Sequence, residues 1–251
     1  LKGKKHVKAL ILSDIHSNIY ALEAIWAKEN DSDLIFCAGD LVDYGPFPAQ
    51  VIEWIRSHNT IVVQGNHDKR VAEFYRNGGL DQVDPNDTLW AHHNARRLDE
   101  DSIAYLEGLP LLHAFEMDGI AYTMSHQYDH AYGTIESIVQ FDKYWRIVEN
   151  ENLLNMEDHR SIFGHTHRRC VHRLGEHELW LNPGSASYRR PDDPSKEAHY
   201  ITIQDGIIHL KSLAYDRSKL FAAIVDEPLM QMERLVAFFF FGSGFEKLSG
   251  N

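Results

Sequence analysis

The sequence is notable first for what is scarce. It holds two cysteines in 251 residues, Cys37 and Cys170, with no CxxC pair. A disulfide scaffold and a thiolate zinc finger are therefore both excluded, and Cys37, inside an apolar run, is expected to be a small buried hydrophobe. Long apolar runs are also missing. The longest, around Val236 to Phe241, falls far short of the ~18 residues a membrane span needs. The cluster Lys2, Lys4, Lys5 is followed only by Ala9 to Leu12 before Ser13 and Asp14, too short for the apolar region of a secretory signal. Positive charge is scarce too. A formal net charge of −12 argues against a general nucleic-acid or membrane-surface binder. The expectation is a cytoplasmic protein. No internal repeat, low-complexity tract or convincing linker is present, so one domain, 1–251, is the simplest organisation.

Present instead is a recurring pattern: an apolar or β-branched run, a small residue, then a cluster of Asp, Asn or His. It occurs as ALILSDIHSN, LIFCAGDLVDYGP, TIVVQGNHD, IAYTMSHQ and SIFGHTH. The first half alternates strand and helix. Val7 to Leu12, Leu34 to Cys37 and Thr60 to Val63 read as strands, separated by helices that start after Asn18 and at Pro48. This order implies a parallel sheet with right-handed crossovers, whose ligands gather beyond the carboxyl ends of the strands.

From Asp68 to Pro110 the pattern is mostly helical, with interruptions at Gly78, Gly79 and Asp84 to Asp87. Asp118-Gly119 marks a hairpin between Ala114 to Met117 and Ile120 to Met124. An aromatic, acidic and partly helical insertion is expected over about 127–158. Strands return at Ser161 to Phe163, Cys170 to Leu174, Leu179 to Leu181, His199 to Ile203 and Ile207 to Leu213. A helical segment over about 216–241 closes the chain.

The polar clusters supply carboxylate, imidazole and amide groups without thiolate: Asp14 and His16 after the first strand, Asp40 after the second, Asn66 and His67 after the third, then His126, His165 and His167. That set suits divalent manganese, iron, zinc or cobalt. A central carboxylate can bridge two such ions, and paired ions roughly 3.5–4 Å apart promote in-line displacement at phosphorus.

The ordered series SDIHSN, GDLVDYGP, GNHD, SHQ, GHTH and NPGS, from Ser13 to Ser185, resembles the motif series of the calcineurin-like metallophosphoesterases. The resemblance implies a four-layer α-β-β-α sandwich with two mixed sheets. It implies a dinuclear centre, with manganese leading and iron, zinc, cobalt or nickel as alternatives. Asp14, His16 and His167 would bind one ion, Asn66, His126 and His165 the other, and Asp40 both. His67 would protonate the leaving oxygen, with Asp43 bonded to its ring. Asn66 and Arg190 are candidate substrate contacts, with Arg189 beside them.

Departures from the family pattern narrow the class. Tyr44 stands where the protein phosphatases carry Arg, which argues against phosphoprotein phosphatase activity. Asp43 replaces the Tyr ligand of the purple acid phosphatases. Gln127 follows His126 where Gly is usual. The remaining pattern resembles the small bacterial phosphodiesterases, including dinucleoside polyphosphate hydrolases. It implies hydrolysis of phosphodiester or phosphoanhydride bonds in a small nucleotide, with diadenosine tetraphosphate leading.

A phosphomonoesterase, or a non-catalytic interaction subunit on the same fold like the retromer component, is the alternative. Tyr128, Tyr132, Tyr144 and Trp145 are expected to be core rather than base-stacking. Asp68 is expected to be structural, bonding loop amides. His92 and His93 cannot both face the cleft. Phe238 to Phe241 is expected to bury against the sandwich or against a second copy in a homo-oligomer.

Overall fold

The computed structural model describes residues 7–82, 89–129, 132–187, 190, 193 and 196–242, without the side chains of 79–82. The predicted strand and helix alternation is present: β1 (Lys8–Leu12), α1 (Ile19–Glu29), β2 (Leu34–Cys37), α2 (Pro48–Ser57), β3 (Ile61–Val62) and α3 (Asn66–Gln82). Two short helices follow, α4 (Trp90–Arg96) and α5 (Glu100–Glu107). The hairpin β4 (Leu112–Met117) and β5 (Ile120–Ser125) turns at Asp118-Gly119, both at positive φ. Then come α6 (Ile138–Trp145), α7 (Glu151–Leu154), β6 (His159–Ile162), β7 (Cys170–Arg173), β8 (Glu178–Asn182), β9 (Ala198–Gln204) and β10 (Ile207–Leu213). The helices α8 (Ser218–Asp226) and α9 (Gln231–Phe240) complete the described chain.

The strands form two mixed sheets, in the orders β10-β9-β1-β2-β3 and β4-β5-β6-β8-β7. The first is parallel from β1 to β3, as the crossovers demand, and gains the antiparallel pair β9 and β10 at its other side. In the second, β5, β6 and β8 run parallel between antiparallel edge strands. Helices cover both outer faces, giving an α-β-β-α sandwich.

Side-chain alternation explains the uninterrupted apolar reading of β1. Ala9 and Ile11 face the second sheet and pack with Phe36, Met124, Ile162, Leu181 and Ile201. Leu10 and Leu12 face the opposite way, into the helix layer with Leu22, Ile25, Val51 and Ile55. A strand buried on both faces has no room for a polar position.

Some boundaries differ from those expected. β3 is two residues long because the chain leaves the sheet after Val63, and Gln64 N–H donates to the Pro110 carbonyl instead. Helix α3 runs through Gly78 and Gly79, so these glycines do not interrupt it. Asp84 to Asp87 and the Lys2 to Lys5 cluster lie outside the described residues. Tyr128, Tyr144 and Trp145 join the core under the outer face of the second sheet, but Tyr132 is 70% exposed and does not. Among the described residues no helix is long and apolar enough to cross a membrane.

Candidate metal centre

The side chains in question leave the carboxyl ends of strands from both sheets. After β1 and β2 the two loops run side by side. Asp14 N–H donates to the Gly39 carbonyl at 2.9 Å, and Ile15 and His16 N–H both donate to that of Asp40. The loops turn sharply by left-handed backbone. Of the eleven non-glycine residues at positive φ among those described, six lie in these two loops, Asp14, His16, Ser17, Asp40, Asp43 and Tyr44, and two more, His165 and His167, lie in the loop after β6. The other three, Asn59, Asp118 and Asp205, sit outside these loops. Left-handed backbone is disfavoured for residues with a Cβ, so its concentration here marks side chains aimed against local preference.

Close backbone approach makes room for the cluster. A Cβ on Gly65 would collide with Asp40 Oδ1, and one on Gly164 would collide with Ser13 Oγ. Buried polar side chains tie the loops down. Asp68 accepts hydrogen bonds from the amides of Asp40, Leu41, Val42 and Gly65, the structural role expected of it. Asn94 on α4 accepts from Ser17 Oγ and from the Asp43 amide, and donates to the carbonyls of Gly45 and Trp90.

The two sheets meet in this cluster. His126 Nδ1–H donates to the Ala38 carbonyl at 2.7 Å, and His165 N–H donates to Asp14 Oδ2 at 3.2 Å. Asp14, His16, Asp40 and His167 present ligand atoms that all lie within 4.8 Å of one another. His167 Nε2 is 3.0 Å from Asp14 Oδ1 and 3.5 Å from His16 Nε2. Beside this group, Asn66 Oδ1 lies 2.9 Å from both His126 Nε2 and His165 Nδ1. Asp40 lies between the groups, with Oδ2 3.2 Å from His126 Nε2 and 4.0 Å from His16 Nε2.

This donor chemistry calls for a cation. Asp14 Oδ1 is buried and faces His167 Nε2 at 3.0 Å without a well-directed hydrogen bond. A neutral His126 ring spends its one N–H on Ala38, so its Nε2 lone pair faces the oxygens of Asn66 and Asp40. Such converging acceptors repel unless positive charge is shared among them. A proton can supply it: although burial opposes the charged ring, the Asp40 carboxylate pushes the His126 pKa up to about 10. Divalent ions would serve these acceptors and Asp14 together. His16 is already in a ligand state, its pKa driven down to about 3 by burial, with Nδ1–H directed at the Val42 carbonyl.

His67 stands at the edge of the cluster, its backbone amide donating to Asp40 Oδ1 at 2.9 Å. Its Nδ1–H donates to Asp43 Oδ2 at 2.8 Å, leaving Nε2 as the other ring nitrogen. Burial works against the charged ring, but the Asp40 carboxylate and the Asp43 hydrogen bond raise its pKa above the ordinary value. A cavity of about 60 Å³ is lined by Asp40, Tyr44, His67, Tyr132, His165, His167 and Arg190.

All seven expected ligand residues, with His67 and Asp43, are thus brought together. Arg190 reaches the rim and donates to the Thr166 carbonyl at 3.0 Å; Arg189 lies outside the described residues. His92 and His93 are buried in the helix layer, against Phe74 and Glu227, and line no part of this cavity. Sequence reasoning missed Asn94, whose polar side chain in a helix otherwise packed into the core was the available signal. It also missed Arg70, 3.7 Å from Asp43, and the parallel stack of Tyr132 on His165 at 4.6 Å, neither of which has a local signature.

Residues 7–206 match the calcineurin-like phosphoesterase superfamily domain. An uncharacterized protein of Methanocaldococcus jannaschii is 26% identical over 89% of this chain and 95% of its own length. A symmetrical bis(5'-nucleosyl)-tetraphosphatase of Pectobacterium carotovorum is 30% identical over 46% of this chain, a match spanning 41% of that protein. The crystal structure of a metallophosphoesterase from Sphaerobacter thermophilus shares the fold with a TM-score of 0.70, at 22% identity over 93% of this chain and 98% of its own.

Proposed function

The chain belongs to the calcineurin-like phosphoesterase superfamily of metal-dependent hydrolases, and on that premise we propose that it hydrolyses phosphodiester or phosphoanhydride bonds of a small nucleotide. Asp14, His16 and His167 would hold one divalent ion, and Asn66, His126 and His165 a second, with Asp40 available to both. Bound there, the ions would supply Lewis acidity for the phosphoryl group and for an attacking water in an in-line displacement.

The protein's own groups do the rest. His67 donates the proton that the leaving oxygen takes as its bond to phosphorus breaks, and Asp43 holds the donating ring through Nδ1. With Asp40 committed to cations, the Asp43 hydrogen bond is the interaction left to favour a protonated ring. Arg190 at the rim offers planar N–H donors to a phosphate. The observation that carries the reading is the His67 to Asp43 pair at 2.8 Å beside a cation-seeking cluster, which supports a proton donor next to the metal site.

The partial match to a dinucleoside tetraphosphatase favours diadenosine tetraphosphate as substrate. Chromatography of products from the manganese-loaded protein acting on that dinucleotide is the test. Two ADP, or ATP with AMP, supports the reading and identifies the anhydride cut. Intact dinucleotide, with a simple activated diester still hydrolysed, rejects the substrate and keeps the chemistry.

A further inference from the structure

The helical pair α8 and α9 lies beyond the segment matching the family, yet it reaches the site. It is firmly held. Phe241 and Leu220 are fully buried, and they cluster with Trp90, Ile224 and Phe238. Trp90 Nε1–H donates to the Glu233 carbonyl at 3.0 Å. Glu227, at the end of α8, meets Arg97 and His93 of the α4 region, and Arg234 of α9 donates to the Glu227 carbonyl at 2.6 Å. The pair is thereby clamped to the helix that carries Asn94.

From α9 a chain of rings leads inward. The Phe240 ring lies 4.6 Å from that of Tyr44, and Tyr44 lies 4.8 Å from His67 and 5.3 Å from His16. Tyr44 holds Asp43 as well, since its backbone N–H donates to Asp43 Oδ1 at 2.8 Å while Asp43 Oδ2 receives His67 Nδ1–H. Asp43 and Tyr44 both adopt left-handed backbone, at φ 76° and 61°. Neither conformation is favoured locally, so outside contacts must maintain it.

We infer that α8 and α9 form part of the acid half of the catalytic centre: Phe240 seats Tyr44 against His67, and Tyr44 keeps the imidazole aimed at the leaving oxygen. Tyr44 and Phe240 are positioning residues, and the inference rests on the proton-donor role given to His67 above. A displaced acid harms the reaction in proportion to how much the leaving group needs its proton. An alkoxide needs it greatly and a p-nitrophenolate hardly at all.

The test compares a methyl and a p-nitrophenyl phosphodiester in wild type and in Phe240→Ala, Phe240→Leu, Tyr44→Ala, Tyr44→Phe and His67→Ala, with urea midpoints confirming folding. Phe240→Ala and Tyr44→Ala are expected to lower kcat on the methyl ester about 10- to 100-fold and to lower kcat on the p-nitrophenyl ester far less. Tyr44→Phe, which keeps the ring, should restore the rate. In the metal-free protein, Phe240→Ala should also shift the His67 ring-proton resonances, because Tyr44 then leaves its face.

Equal losses on both esters, losses confined to KM, or no loss in folded Phe240→Ala or Phe240→Leu would overturn the inference while leaving an active phosphoesterase. A wild type that cleaves neither ester would instead reject the diester part of the proposed function, and with it the inference, which concerns the proton given to an ester's leaving oxygen.

Discussion

Asn94 shows how much of the site depends on residues that touch no substrate. Its side chain joins Ser17, Asp43, Gly45 and Trp90, and it is fully buried. Asn94→Ala leaves several buried donors and acceptors unpaired, at about 1–3 kcal/mol each when not relieved by water. Urea unfolding should show a loss of about 2–4 kcal/mol, and metal affinity should fall with it. A change under 0.5 kcal/mol would mean the loops hold themselves. His67→Ala belongs to the same scale and should lower kcat on an alkyl ester about 10²- to 10⁴-fold without unfolding the chain. The clustering of the expected ligand residues was legible beforehand because Asp, His and Asn after a strand carry their chemistry in residue type and order. Asn94, Arg70 and Tyr132 were not, because the contacts that bring them to the site are made across 27 to 77 positions of chain, from Arg70 to Asp43 up to Asn94 to Ser17.

Among the elements, β1 was readable for a physical reason. Burial on both faces leaves one solution, a continuous apolar run, and both cores confirm it. The boundaries of β3 and β4 were not, because strand length is set by where a neighbour's hydrogen bonds end, as at Gln64 and Pro110. β4 also carries a pH-sensitive contact. His113 stacks on Phe115 with ring centroids 5.4 Å apart, and burial lowers its pKa from 6.5. The unfolded chain therefore takes up a proton that the folded chain resists. Stability contributed by a neutral His113 is present above pH 6.5 and is lost as pH falls below it, until the folded ring itself protonates. Replacing it, as His113→Phe, should flatten the decline of the melting temperature between pH 6.5 and 5 relative to wild type. Curves of the same slope would show that His113 does not contribute to it.

At the scale of the molecule, the two sheets are joined at their carboxyl ends by the same groups that would hold ions. Asp14 and Asp40 come from the first sheet, and His126, His165 and His167 from the second. Bound cations would therefore act as a clasp between halves, stabilising the folded state by mass action. At a free ion concentration about 1,000 times Kd the gain is roughly 4 kcal/mol. Chelation should lower the melting temperature, and restored manganese should return it. An unchanged melting temperature would mean that no ion binds the folded chain selectively. The architecture was visible in the alternation of apolar runs and polar clusters, and so was the C-terminal helical segment with its apolar Phe238 to Phe241 run; the place of α8 and α9 beside the site was not, since an apolar helix does not announce what it packs against.

The most direct test is a titration of metal-free protein with manganese, following both heat of binding and hydrolysis of an activated phosphodiester, in wild type and in Asp40→Asn. Wild type should bind two ions per chain and reach full turnover only with the second, and Asp40→Asn should weaken both together because a neutral amide bridges poorly. One ion sufficing for full turnover, or Asp40→Asn losing a single ion with the other unaffected, would contradict a shared dinuclear centre.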